Sequence, residues 1–279
     1  MVHAGTRIGK YEVLEYLGGG MSEVYRATDT VLGRTVALKI LTDQGAQDDQ
    51  MRSRFLLEAK VSSGISHDNI ITTYDYGDAE GRPYLVMEFL VGQTLKQAIR
   101  ASDPRPLRER LDIALQLARA LRHVHRQGIV HRDIKPDNVH LDEKGRVKLM
   151  DFGIAKTRTE TLTRTGMTVG TPQYMAPETL AAQPPRPASD VYSFGVLLFE
   201  LLSGQRAIEA DTMERVFYAV LHEPVPVDKL SAAGIPQDIV DLVAGCTRKA
   251  LADRIPDFDP IVETLEAWLA GSAGPPRIR

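Results

Sequence analysis

His131-Arg132-Asp133-Ile134-Lys135-Pro136-Asp137-Asn138, followed thirteen residues after Asn138 by Asp151-Phe152-Gly153, is the stretch on which the reading of this chain turns. Asp133 can take the proton of an attacking hydroxyl, and Lys135 can neutralise charge on a phosphoryl group in transfer. Asn138 and Asp151 offer oxygen donors to magnesium. Four such roles within twenty-one residues make a phosphoryl-transfer signature, whereas His-Arg-Asp alone could occur in any loop.

The rest of the composition narrows what can surround that signature. With 279 residues, 43% hydrophobic and 25% charged, the chain has enough apolar mass for one large domain or two lobes and is not disordered in bulk. A formal net charge of -3 gives no electrostatic case for nucleic acid or an anionic membrane surface as the main partner. Cys246 is the only cysteine, which excludes an intrachain disulfide and a cysteine-based zinc site and fits a reducing cytoplasm. It lies in an apolar helix-like run, residues 239–246, and is expected to be a buried small hydrophobe. The first seven residues lack the apolar core of a secretory signal, and Val2 is not the glycine that myristoylation requires. Residues 191–202, the most apolar stretch, are too few and include Ser193 and Glu200, so they are expected to form a buried helix and not a membrane span.

Period-two patterning predicts strands at residues 11–17, 23–27 and 35–41, a helix at 50–65, and strands at 70–74 and 83–89. This is a small five-stranded antiparallel sheet with one main helix. From Leu95 onward the period becomes helical, at residues 107–126, 190–203, 211–222, 237–250 and 259–270. The joint falls at Gly92-Gln93-Thr94. The expected organisation is α+β: residues 1–91, a mostly helical 92–270 and a tail at 271–279, with ligand bound in the cleft between the lobes. The Gly/Pro-rich tail reads as a linker to any further region.

Further motifs stand in order around the catalytic run: Leu17-Gly18-Gly19-Gly20-Met21-Ser22-Glu23-Val24, Val36-Ala37-Leu38-Lys39, Gly170-Thr171-Pro172-Gln173-Tyr174-Met175-Ala176-Pro177-Glu178, and Ser189-Asp190-Val191-Tyr192-Ser193-Phe194-Gly195. With them the chain resembles the eukaryotic-type (Hanks-type) serine/threonine protein kinases, most of all their bacterial branch, over roughly residues 8–268. That resemblance implies a bilobal protein kinase fold and ATP-dependent phosphorylation of Ser or Thr hydroxyls on proteins, with autophosphorylation.

Residue by residue, the resemblance implies that Lys39 touches the α- and β-phosphates of ATP and pairs with Glu58. Asp133 would be the base, Lys135 and Thr171 its partners, and Asn138 and Asp151 the ligands of Mg2+, with Mn2+ as an alternative ion. Leu17, Gly18, Gly19 and Gly20 would cover the phosphates through backbone amides. Met87 falls at the gatekeeper position, Glu88 to Leu90 would hydrogen-bond adenine, and Val24 and Ala37 would stack above it with His140 below. The glycine-rich turn is one residue shorter than the usual pattern, and Ser22 stands where its third glycine would be. Thr161, Thr163, Thr165 and Thr168 are the phosphosite candidates, with Arg132 as a charge partner. Glu178 is expected to pair with Arg254, and Asp190 with the backbone of the catalytic loop. The other histidines, including His67, His123 and His125, read as structural or exposed.

The expected partners are protein substrates, with self-association for phosphorylation in trans left open, and neither nucleic acid nor membrane within this chain. The expected location is cytoplasmic, as a whole protein or as the cytoplasmic domain of a longer membrane protein. Two other readings are a pseudokinase-like binding module, suggested by the short turn and His140, and a small-molecule kinase. The first is opposed by the presence of Lys39, Asp133, Asn138 and Asp151, the second by the long segment between Asp151 and Glu178.

Overall fold

The computed structural model describes residues 2–20, 22–101, 105–153 and 172–271. The chain divides into two compact units, Met1–Val91 and Gly92–Arg279.

In the first unit six strands form one antiparallel sheet, β1 (Arg7–Ile8), β2 (Tyr11–Gly19), β3 (Ser22–Asp29), β4 (Arg34–Leu41), β5 (Thr73–Ala79) and β6 (Arg82–Glu88), in the order β1-β2-β3-β4-β6-β5. Tyr25 pairs with Leu38 and Leu38 with Val86, while Val24 pairs with Lys39 and Ala37 with Met87. Successive side chains on a strand point to opposite faces. One face therefore collects Tyr25, Ala27, Val36, Leu38, Ile40 and Val86, all without exposed area, around Ile8, Tyr11 and Val13. Burial of each large apolar side chain contributes about 1.5–3 kcal/mol. The opposite face carries Val24, Ala37, Lys39 and Met87.

Two helices connect β4 to β5. Thr42 caps α1 (Asp43–Gln47) by accepting the Gly45 N–H at 3.1 Å, and Asp48 caps α2 (Asp49–Ser63) by accepting those of Gln50 and Met51 at 2.8 and 3.1 Å. Helix α2 buries Phe55, Ala59 and Ser62.

The sheet has one strand more than the pattern predicts, because two-residue β1 is too short to show a period. The fifth strand lies further along than residues 70–74. Ile70 and Ile71 are buried ahead of it, and β5 itself is a half-exposed edge, Thr-Tyr-Asp-Tyr-Gly-Asp-Ala, with little apolar signal.

In the second unit β7 (Gln93–Thr94), β8 (Val139–Leu141) and β9 (Val147–Leu149) form a small antiparallel sheet in chain order. The helices are α3 (Leu95–Arg100), α4 (Leu107–Arg126), α5 (Pro177–Leu180), α6 (Pro187–Ser203), α7 (Met213–His222), α8 (Asp228–Ala232), α9 (Gln237–Cys246) and α10 (Asp259–Leu269). Every residue of α6 from Ser189 to Leu202 is buried, the apolar ones in the core and the polar Ser189, Asp190, Ser193 and Glu200 each with a hydrogen-bond partner. It packs on α4 and α9, and α10 packs on α4. The apolar stripe of α4, Leu111, Ala114, Leu115, Ala118 and Leu121, faces this core. Among the described residues no helix is long and apolar enough to cross a membrane.

Candidate active site

The loop from His131 to Asn138 is held from below by one carboxylate. Asp190, in the first turn of α6 and 1% exposed, accepts the backbone N–H groups of His131 at 2.7 Å and Arg132 at 2.9 Å. His125 Nε2, from the end of α4, lies 2.8 Å from the same carboxylate. Arg132 sits at φ 69°, a conformation that costs an L-residue free energy and is held by the bonds of the His131 and Arg132 amides to Asp190 and of the Asp133 amide to His131 Nδ1.

His131 is fully buried between two roles. The Asp133 N–H donates to its Nδ1 at 3.3 Å, and its Nε2 lies 3.2 Å from the Met150 carbonyl. This geometry assigns the neutral tautomer with the proton on Nε2. Burial holds the imidazole pKa below its ordinary value, against the opposing pull of Asp190 and Asp133. Its ring packs on that of Phe152, tilted by 40° with 4.8 Å between centroids.

Asp133 is the centre of a compact cluster. Lys135 Nζ donates to its Oδ2 at 3.0 Å. Asn138 Nδ2 donates to the same oxygen at 2.9 Å and to the Asp133 carbonyl at 2.8 Å. With the amide nitrogen so engaged, Asn138 Oδ1 is the atom left to ligate a cation. Asp151 is exposed, at φ 48°, immediately before Phe152. An amide oxygen and a carboxylate suit a hard ion such as Mg2+, which takes one or two carboxylates plus substrate phosphates and needs no protein cage. Among the described residues no three His, Cys, Asp or Glu side chains gather as a metal cage.

Gly153 brings the two halves of this cluster together. Its N–H donates to the His131 carbonyl at 2.9 Å, and a Cβ placed on it would lie 2.7 Å from the Asp133 Cβ. Gly153→Ala is therefore expected to displace Asp133. The expected result is about a 10²-fold fall in kcat/KM with the fold retained, read by steady-state assay beside a melting curve.

The first unit carries a second set. Lys39 Nζ donates to Glu58 Oε1 at 2.7 Å, with side chains 12% and 17% exposed. A cation at that burial needs its partner, and α2 supplies it from the same side of the sheet. Val24, Ala37 and Met87 share the Lys39 face, Met87 being 7% exposed. Glu88 ends β6 and accepts the Thr72 N–H at 2.7 Å; Leu90 follows outside the strand. In the glycine-rich turn Leu17 is exposed, and Gly18 and Gly19 sit at φ 140° and 149°. Gly20 N–H donates to the Ser22 carbonyl, and a Cβ on Gly19 would lie 2.2 Å from that oxygen. Only glycine closes so short a turn.

His140 lies on β8, between Thr94 and Lys148 in the register, with its buried ring packed against Gly92. Thr161, Thr163, Thr165, Thr168 and Thr171 lie outside the described residues.

The protein kinase domain family profile matches residues 11–264. The chain belongs to this family. Among bacterial relatives, this kinase domain is 38% identical over 248 residues to serine/threonine-protein kinase PrkC of Bacillus subtilis, covering 88% of this chain and 38% of that protein. It is 37% identical over 279 residues to serine/threonine-protein kinase PknA of Mycobacterium tuberculosis, covering 98% and 64%. The chain thus spans between about a third and two thirds of the length of these curated relatives. The crystal structure of the M. tuberculosis PknI kinase domain matches with a TM-score of 0.75 at 25% identity, covering 97% of this chain and 100% of that one. Kinase domains of this family use ATP and a divalent metal and act on proteins, and this one is of the bacterial Hanks type.

Within the kinase domain the expected Glu178–Arg254 and Asp190–backbone contacts are present. Three features escape a sequence reading. His125 supports Asp190, Lys96 Nζ donates to Asp137 Oδ1 at 2.5 Å, and Tyr174 OH donates to Glu200 Oε2 at 2.7 Å. Glu200, a carboxylate inside the apolar run of residues 196–202, was the one available signal, since a buried carboxylate requires a donor. His125 and Lys96 left none.

Proposed function

We propose that this kinase domain transfers the γ-phosphoryl group of ATP to Ser and Thr hydroxyls of proteins, including its own Thr161, Thr163, Thr165 or Thr168. The observation that carries the reading is the Asp133 cluster, a carboxylate held at hydrogen-bond distance by both Lys135 and Asn138 on a loop pinned by Asp190.

Asp133 would accept the proton of the acceptor hydroxyl as its oxygen bonds the γ-phosphorus and the bond from that phosphorus to the ADP oxygen breaks. Lys135, already on Asp133, would offset charge on the group in transfer, with Thr171 as a further partner. Lys39, aligned by Glu58, would hold the α- and β-phosphates. The backbone of Leu17 to Gly20 would cover them, and Val24, Ala37, Met87, Glu88, Leu90 and His140 would receive adenine. Mg2+, or Mn2+ in its place, would be held by Asn138 and Asp151 and would neutralise phosphate charge. In this reading residues 1–91 bind ATP, 92–270 carry catalysis and substrate binding, and 271–279 are a tail. The cytoplasm, which supplies ATP and reduced thiols, is the fitting compartment.

The test is incubation of the chain with Mg2+ and labelled ATP beside Asp133→Asn, with phosphate mapped by mass spectrometry. Phosphate on the threonines between 161 and 171 in the wild type alone is the expected result. Nucleotide binding without transfer to this chain or to a generic protein substrate would overturn it in favour of a binding module.

A further inference from the structure

A cavity of about 410 Å³ opens in the second unit between α3, Pro136 and Asp137 of the catalytic loop, the turn Pro172–Tyr174 and the end of α6. Four residues of chain separate Asp133 from Asp137, so their Cα atoms are at most about 14 Å apart, a span that an extended polypeptide covers in about four residues. A segment offering its hydroxyl to Asp133 therefore has flanking side chains within reach of this cavity.

Two carboxylates line it. Glu200 is 5% exposed, and its oxygens accept the Tyr174 hydroxyl at 2.7 Å and the Ala207 N–H at 3.3 Å. Burial raises the Glu200 pKa and the charge of Asp137 raises it further, so the two carboxylates are near enough to repel each other. Asp137 is half-buried, and the cation it meets is the chain's own, Lys96 Nζ at 2.5 Å from its Oδ1. Helix α3 holds that lysine in reach: Thr94 and Gln97 cap the helix reciprocally, and Leu95 and Ala98 are buried beneath it. The formal charges around the cavity then cancel, Lys96, Arg100 and Arg206 standing against Asp137, Glu200 and Glu209. Removal of one ammonium leaves a net negative wall beside the path of the acceptor segment.

We propose that Lys96 is a specificity-determining residue, occupying on Asp137 the place of a substrate cation, so that this kinase domain takes acceptor segments without Lys or Arg near the Ser or Thr. The inference rests on the kinase reading, since it names which polypeptide that site accepts. A basic side chain entering the cavity finds Asp137 already neutralised and meets the like charge of Lys96.

The experiment compares kcat/KM for a Thr peptide in an Ala/Gly background with those for peptides carrying a single Arg at each position within four residues of the Thr. In the wild type no Arg peptide is expected to exceed the reference. In Lys96→Met the ratio of Arg peptide to reference should rise about tenfold at one or two positions, through KM. Lys96→Arg, which keeps the charge, should keep the wild-type ratios, and Lys96→Met with Asp137→Asn should lose the gain. Each ratio is taken within one protein, so a general loss of activity does not move it. A wild type that already favours an Arg peptide about tenfold, or ratios unchanged in Lys96→Met, would overturn the inference. Argininamide, titrated while backbone amides are followed by NMR, reads the same site without turnover: it should shift Asp137 and Tyr174 in Lys96→Met and not in the wild type. The absence of those shifts would overturn the inference. Their presence with no phosphate transferred to any peptide or to the chain itself would leave the vacated cation site standing and overturn the kinase reading.

Discussion

Lys39→Met is expected to lower phosphotransfer by about 10²–10³-fold while the chain stays folded. Lys39 places an ammonium on the sheet face that also carries Val24, Ala37 and Met87, and its 2.7 Å bond to Glu58 fixes where that charge sits. Methionine matches the length of the stem and keeps the strand, so the loss falls on charge alone. Glu58→Gln should cost less, because the ammonium remains and only its aim is relaxed. The double variant should be no worse than Lys39→Met, since Glu58 acts through Lys39. Steady-state rates for the four proteins, with nucleotide affinity measured separately, check this. Equal losses from the two single variants would mean that the carboxylate itself contacts substrate or metal.

The parts of the fold that the sequence announced are those with many residues in one period. The stripe of α4 repeats over twenty residues, and its bounds are those the pattern predicts. β1, β7, β8 and β9 have two or three residues each, too few to carry a period, and exist because neighbouring strands offer unpaired backbone groups. Helix α9 shows a different limit. Its apolar pattern continues toward residue 250, yet the helix stops at Cys246 and Thr247 turns its hydroxyl back onto the Val243 carbonyl at 2.8 Å. The chain leaves the helix there so that the carbonyls of Arg248 and Lys249 can accept from Arg254, and so that Lys249 Nζ can reach the last carbonyls of α7 at Ala219 and Val220. A tertiary demand overrides a local period, and nothing local announces it.

The site was legible for a related reason. Asp133, Lys135 and Asn138 lie within six residues, so their mutual bonds follow from one turn. Lys96–Asp137 and His125–Asp190 join residues 41 and 65 positions apart, which no short motif can encode. Lys39–Glu58 was reached across nineteen residues only through the resemblance to a family.

Arg254→Ala is expected to destabilise the second unit by about 3–5 kcal/mol, a fall in Tm on the order of 10 °C. The Arg254 side chain has no exposed area, and each of its five N–H donors has an acceptor: Nε the Arg248 carbonyl, Nη1 Glu178 Oε1 and the Ala188 carbonyl, Nη2 Glu178 Oε2 and the Lys249 carbonyl, all between 2.8 and 3.0 Å. Alanine would strand three carbonyls and a buried carboxylate at once. Burial alone would raise the Glu178 pKa, but Arg254 and the Ser189 hydroxyl at 2.7 Å outweigh it and hold the carboxyl below its ordinary value of 4.5. A carboxyl held low in the folded state contributes stability that is complete above pH 4.5 and drains as the pH falls below it. Without Arg254 the same burial has no opponent, the Glu178 pKa rises, and the variant gains relative stability on acidification as the stranded charge takes up a proton. The Tm gap between wild type and variant should therefore narrow from neutral pH toward pH 4.5. A gap that stays constant would place the loss in the stranded carbonyls, and Glu178→Gln on its own would then be nearly as costly as Arg254→Ala only if the two side chains act as one unit.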